Sequence, residues 1–215
     1  MYNNQFLCIE SWQFGGVGSI HLDYDLAPYV KMSYIKHLRT GLKWLYNFDL
    51  SKNTKSLSIS CNWYKNRYPR AHEFAMEELE KECAQACEGL YHNLNTLESR
   101  QGSQVPFTSI NLGRDTSPEG RLVTKCIFNA SLNGIGKFHK TSIFPISIFQ
   151  HKRGCNANPG DPNYDLKQLA LESLSKRIYP NFVNCDWAEA HEVPGDPDTY
   201  FATMGKCKCS SSKIF

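Results

Sequence analysis

The stretch QVPFTSINLGRDTSPEGRLV, Gln104–Val123, decides the fold. Its first part, to Leu112, mixes β-branched and aromatic side chains after a Gly/Ser loop, which predicts a strand. Ser117-Pro118-Glu119 then predicts a helix start, with Ser117 as cap and Pro118 at the first helical position. Working forward, the predicted helix covers Glu119 to Phe138, and IFPISIFQ, Ile143–Gln150, predicts a second strand. A loop rich in Asn, Pro, Gly and Asp, Asn156–Asn163, leads to a helix over Tyr164–Arg177. Pro180 stops that helix, and Phe182–Asp186 predicts a short third strand. The order strand, helix, strand, helix, strand is the pattern of parallel βαβ units, with right-handed crossovers that put the helices outside the sheet.

Working backward, the texture is helical. Asp25–Tyr46 carries Leu26, Tyr29, Val30, Tyr34, Leu38, Leu42 and Leu45 at helix-like spacing, with Pro28 placed in the first turn. Asp49–Ser58 predicts a polar loop and Pro69–Thr96 a second long helix, whose charged run Glu77–Glu82 is a solvated face. The first hundred residues are therefore expected to be mainly α. No internal repeat and no low-complexity tract interrupts the chain.

Composition sets the class. The 215 residues are 41% hydrophobic and 21% charged, as in a soluble globular protein and unlike a disordered tail. No apolar run approaches the roughly 20 residues a membrane span needs, and Met1–Glu10 lacks the basic-then-apolar order of a signal peptide. The 24 basic and 21 acidic side chains, net +3, are mixed along the chain. No basic block or stripe argues for nucleic acid. The nine cysteines are odd in number and form no CxxC pair, which favours reduced thiols in a cytosol over a disulfide framework. Cys83 and Cys87, at i, i+4, make a poor zinc site without a His/Cys pair nearby and are expected to pack as small hydrophobes. His21, His37, His72, His92, His139, His151 and His191 are scattered without metal-ligand spacing. Gly134-Ile-Gly-Lys does not meet the phosphate-loop spacing, which disfavours a generic α/β nucleotide binder.

Six stretches, in order, carry a resemblance: Gln13–Val30 (QFGGVGSIHLDYDLAPYV), Gln104–Val123, Gly134–Gln150 (GIGKFHKTSIFPISIFQ), Asn158–Leu166 (NPGDPNYDL), Arg177–Phe182 (RIYPNF) and Asp196–Gly205 (DPDTYFATMG). Together they make the chain similar to the class III, anaerobic ribonucleoside-triphosphate reductases over roughly Gln13 to Gly205. The resemblance implies an α/β fold, part of a ten-stranded α/β barrel of the glycyl radical enzyme type, preceded by long helices. It divides the chain into a mainly helical dimer and effector region (1–100), a βαβ portion ending at a finger loop inside the barrel (101–205) and a non-matching tail (206–215). It also implies the chemistry. A glycyl radical, made by an iron–sulfur activase that uses S-adenosylmethionine, forms a thiyl radical on the finger-loop cysteine. The thiyl attacks the substrate ribose, and formate supplies electrons for reduction to the deoxyribonucleotide. A closed barrel suits that chemistry because the radical must be kept from water and oxygen.

The sequence departs from the family in three places. Cys8 lies too close to the Gln13–Gly16 stretch to take the role of the family's second active-site cysteine. The glycyl-radical loop, the four-cysteine zinc site and the later barrel strands are not found, so no cofactor is expected on this chain. At the loop tip, where the family has Thr-Met-Gly-Cys-Arg-Thr, this chain has Thr203-Met204-Gly205-Lys206-Cys207-Lys208-Cys209. Lys206 stands at the radical cysteine's position, and Cys207 is one residue late. In an extended loop such a slip turns the side chain to the other face, and a lysine facing the barrel interior costs desolvation unless paired. A frameshift, an interrupted gene and an intron edge remain alternatives for the tail.

The candidate site residues are therefore Cys207 as a displaced thiol, and Thr116, Ser117 and Gly120 as phosphate contacts at a helix N-terminus. Ordinary capping is the competing role for the last three. The chain is expected to be a reductase fragment, inactive alone. The alternative is a non-catalytic module that binds an effector nucleotide or a complementary reductase chain. The resemblance implies a ribonucleoside triphosphate, a deoxynucleotide effector, an activase and a homodimer mate or complementary chain as partners.

Overall fold

The computed structural model describes residues 16–50, 57–97, 105–204 and 207–209. Four parallel strands form one sheet in the order β1 (Val17–Ser19), β2 (Thr108–Leu112), β3 (Ile146–His151), β4 (Asn181–Asn184). Ser109 pairs with Ile146 and Ile148 with Asn181, and every neighbouring pair runs parallel. All five residues of β2 and the first five of β3 are buried, the mark of strands covered on both faces.

One face is covered by helices. These are α1 (Leu22–Tyr46), α3 (Pro69–Thr96) and α4 (Pro118–Asn133), with the short α2 (Asn62–Arg67) before α3 and with α5 (Tyr164–Lys176) beside α4. Tyr34, Leu38 and Leu42 of α1, Ala71, Ala75 and Leu79 of α3, and Ile127 and Phe128 of α4 join Ile110, Leu112 and Phe149 in one apolar core. The alternating direction of strand side chains sends Ser147 of β3 to this side, where Tyr91 of α3 meets its hydroxyl at 3.2 Å. The other face carries Asn111 and Gln150 and is crossed by a hairpin of β5 (Ala202–Met204) and β6 (Cys207–Cys209).

The expected elements are present with shifted ends. Helix α3 has the expected bounds. Helix α1 begins at Leu22, with Asp23 and Asp25 in its first turn, so Pro28 lies inside it. Helix α4 ends at Asn133 and stops short of Phe138. Gly134 takes φ 73 there, and Ile135 and Lys140 close a tight turn. The first predicted strand is confined to Thr108–Leu112, the second starts at Ile146, and the third covers Asn181–Asn184. Strand β1 and helix α2 had no predicted counterpart. Part of the expected loop Asp49–Ser58 lies outside the described residues, as do Cys8, Gln104, Lys206 and most of the tail. No described helix is long and apolar enough to cross a membrane.

Candidate functional site

The carboxyl ends of the neighbouring strands β2 and β3 are fastened by buried polar groups. The chain leaves β2 through Gly113-Arg114-Asp115. Asp23 of α1, wholly buried, accepts the N–H groups of all three on one oxygen, at 2.8, 3.1 and 3.1 Å. Burial pushes its carboxyl up to about 6, against the amides of Asp115, Gly113 and Tyr24, which favour the ionised form. Gly113 sits at φ 109 with the Phe149 ring so close that a Cβ would stand 2.6 Å from it, so only glycine makes this turn. From the other side, Asn156 Nδ2 donates to the carbonyls of Gly113 and Gln150, both at 2.9 Å. Asn163 Nδ2 donates to the carbonyls of Gly113 and Asp115, at 3.1 and 2.9 Å. The Asn-rich loop therefore locks the exits of β2 and β3 together.

A charged cluster lies beside this turn. Glu192 grips the Arg114 guanidinium with both oxygens, at 2.7 and 2.9 Å, and takes Lys152 at 2.7 Å. Its side chain is 3% exposed and that of Arg114 6%. The Tyr200 ring lies under the guanidinium, 3.8 Å from centroid to carbon, and meets the Tyr24 ring edge-on. Burial alone would raise the Glu192 carboxyl, but Arg114, Lys152 and the Phe201 amide hold it down to about 2. Cys155 and Cys185 stand in the same neighbourhood, and burial pushes both thiols up to about 11, so neither is a ready thiolate.

The hairpin lies over these exits. Gln150 Nε2 donates to the Phe201 carbonyl at 2.7 Å, and Asn111 Nδ2 donates to the Thr203 carbonyl at 2.9 Å. Strand β6 brings Cys207 opposite Met204. The backbone of Cys207 is thus at the hairpin, whereas Lys206 lies outside the described residues.

Thr116, Ser117 and Gly120 are together at the start of α4. Ser117 caps the helix, its hydroxyl accepting the Gly120 N–H at 3.1 Å and donating to Asp115 at 2.8 Å. The Asp115 carboxylate fills the space a Cβ on Gly120 would need, and Thr116 is exposed. An anion of the protein itself therefore already sits at this helix N-terminus.

Three of the histidines pair with other side chains. His21 bridges Asp25 and Asp198 at 3.1 and 2.9 Å, His37 meets Glu82 at 2.7 Å, and His72 meets Tyr34 at 2.8 Å. Cys87 is buried and Cys83 half-buried. Among the described residues, no group of three His, Cys, Asp or Glu could hold a metal ion.

Sequence reasoning missed Asp23, Asn111, Gln150 and Glu192. Asn111 and Gln150 gave a signal, since each is a polar amide within a stretch that otherwise reads as a buried strand. Asp23 and Glu192 gave none, because the turn that Asp23 holds lies 90 to 92 residues away and the cations that Glu192 holds lie 78 and 40 residues away.

A family model described as anaerobic ribonucleoside-triphosphate reductase matches residues 2–212. Proteins of that name are similar to the chain. The one from Haemophilus influenzae is 38% identical over 178 residues, which are 83% of this chain and 22% of that protein. The one from Escherichia coli is 36% identical over the same shares. That of phage T4 is 33% identical over 82% of this chain and 25% of its own length. The chain thus spans about a quarter or less of the relatives it matches.

Proposed function

Because the chain belongs to the anaerobic ribonucleoside-triphosphate reductase family, we propose that it supplies one segment of that enzyme's catalytic barrel. In this reading it takes part in reducing ribonucleoside triphosphates to deoxyribonucleotides by thiyl and glycyl radical chemistry, and it does so only together with the rest of the barrel. The observation that carries the reading is the hairpin laid across the exits of the parallel strands and held there by Asn111 and Gln150. A loop over the carboxyl ends of parallel strands is where α/β proteins put their chemistry.

The residues would divide the work as follows. Cys207, one position after Lys206, is the candidate thiol, displaced from the family's position. Thr116, Ser117 and Gly120 form the phosphate contact. With Asp115 already on the Ser117 hydroxyl, that contact runs chiefly over the exposed Thr116. Residues 1–100 form the helical region that faces a dimer mate and effector, residues 101–205 the barrel portion, and residues 206–215 a divergent tail. The glycyl radical, the iron–sulfur activase and the zinc site belong to other parts of the assembly.

Reconstitution tests this. The chain is mixed anaerobically with a relative lacking the matching segment, the activating protein, formate and a ribonucleoside triphosphate, and deoxynucleotide is measured. We expect no product from the chain alone, and product from the mixture once Lys206 is deleted so that the cysteine follows Gly205. Turnover by the chain alone, or failure to bind the truncated relative, overturns the reading.

A further inference from the structure

Strand backbones present their polar groups alternately to either side. Along Phe201–Thr203, the groups of residue 202 point to β6, which pairs Ala202 with Cys209. Those of residues 201 and 203 point the other way, where the polar groups meet side chains of the sheet. Phe201 N–H donates to Glu192 Oε1 at 3.0 Å, and its carbonyl accepts from Gln150 Nε2 at 2.7 Å. Thr203 N–H donates to Asn111 Oδ1 at 3.2 Å, and its carbonyl accepts from Asn111 Nδ2 at 2.9 Å. The Asn111 amide thus treats Thr203 as an adjacent strand would, accepting from its N–H and donating to its C=O. The same Nδ2 also donates to Ser19 O of β1 at 2.9 Å, and Asn111 is 2% exposed.

We propose that Asn111, backed by Gln150 and Glu192, is a register clamp on the hairpin. It is a positioning residue that fixes Thr203 over β2, so the residue at the hairpin tip is set by counting from Thr203. Sliding β5 by one residue would turn the β6-facing edge of Ala202 or Met204 toward Asn111, leaving its buried Oδ1 without a donor and its Nδ2 with Ser19 O alone. Insertions or deletions beyond Met204 are therefore taken up at the tip alone. The value of the clamp for catalysis rests on the reading that this hairpin presents the reacting thiol. The clamp itself does not.

The test is hydrogen exchange at single-amide resolution on the complete chain, comparing wild type, an insertion of one alanine after Gly205, Asn111→Leu and Ile110→Val. The insertion is expected to leave Thr203 protected as in wild type. Asn111→Leu is expected to speed exchange at Thr203 about thirtyfold, the effect of losing two hydrogen bonds worth about 1 kcal/mol each, while the β2–β3 ladder changes little. Ile110→Val, a loss in the helix-side core, should not single out Thr203. Loss of protection at Thr203 in the insertion variant overturns the proposal. So does Thr203 exchange unchanged in Asn111→Leu, or raised uniformly with the ladder as in Ile110→Val. The insertion leaves the core untouched, so it decides the matter even where Asn111→Leu fails to fold. None of these readouts involves turnover, so failure of the reductase reading would be seen separately.

Discussion

Glu192 is the residue on which most of the site converges. It satisfies Arg114 twice, Lys152 once and the Phe201 amide once. A buried carboxylate between two cations is worth little against an apolar replacement of the whole set, but removing one member leaves uncompensated charge. Glu192→Gln is therefore expected to cost about 3–5 kcal/mol in chemical denaturation. The pH dependence has a definite sign. The folded carboxyl lies at about 2, below its ordinary value of 4.5. Its stabilisation is complete above 4.5 and is lost as pH falls toward about 2. Wild type should lose stability through that acid window, and Glu192→Gln should lose less. Equal acid slopes for the two would show that the Glu192 carboxyl is not held below its ordinary value in the folded chain.

At the scale of elements, α1 shows how far local sequence carries. Its period-3.6 stripe of Val30, Tyr34, Leu38 and Leu42 is buried as the spacing requires. Its start was misjudged because proline is usually a first-turn residue, and here Pro28 sits past the first turn. Asp23 explains the earlier start. Its carboxylate serves the helix N-terminus and, 90 residues away in sequence, the turn after β2, a contact no local pattern announces. Strand β1 went unseen because three residues cannot display alternation. The parallel order of β2, β3 and β4 was legible because short runs with β-branched and aromatic residues alternate with helices. The clamp was not, since it depends on which backbone crosses which strand. Pro28 leaves the Tyr24 carbonyl without its helical donor and is exposed. Pro28→Ala should stabilise the chain by about 2 kcal/mol, the restored hydrogen bond and relieved ring clash outweighing the unfolded-state entropy that proline removes. A fall in melting temperature would contradict this.

At the scale of the whole molecule, the sheet ends abruptly on one side. Among the described residues β4 has a neighbour only in β3. Ile178, just before that strand, is 60% exposed and Phe182, within it, 36%, while Leu171 and Leu174 of α5, the helix that leads to it, are each 40% exposed. An unpaired strand bordered by apolar side chains is a template for another chain. On the proposed function, a further part of the reductase covers this border. Alone, the chain is expected to associate with itself through it. Leu174→Lys with Ile178→Lys places charge on the border without touching the core cluster, which contains neither residue. Light scattering over a concentration series should find wild type growing in mass and the double variant staying near monomer size. A wild-type chain that stays monomeric and melts cooperatively would mean that the β4 border needs no cover. The same double variant should also bind a truncated relative more weakly, because the face that drives self-association is the face that the proposed assembly would bury.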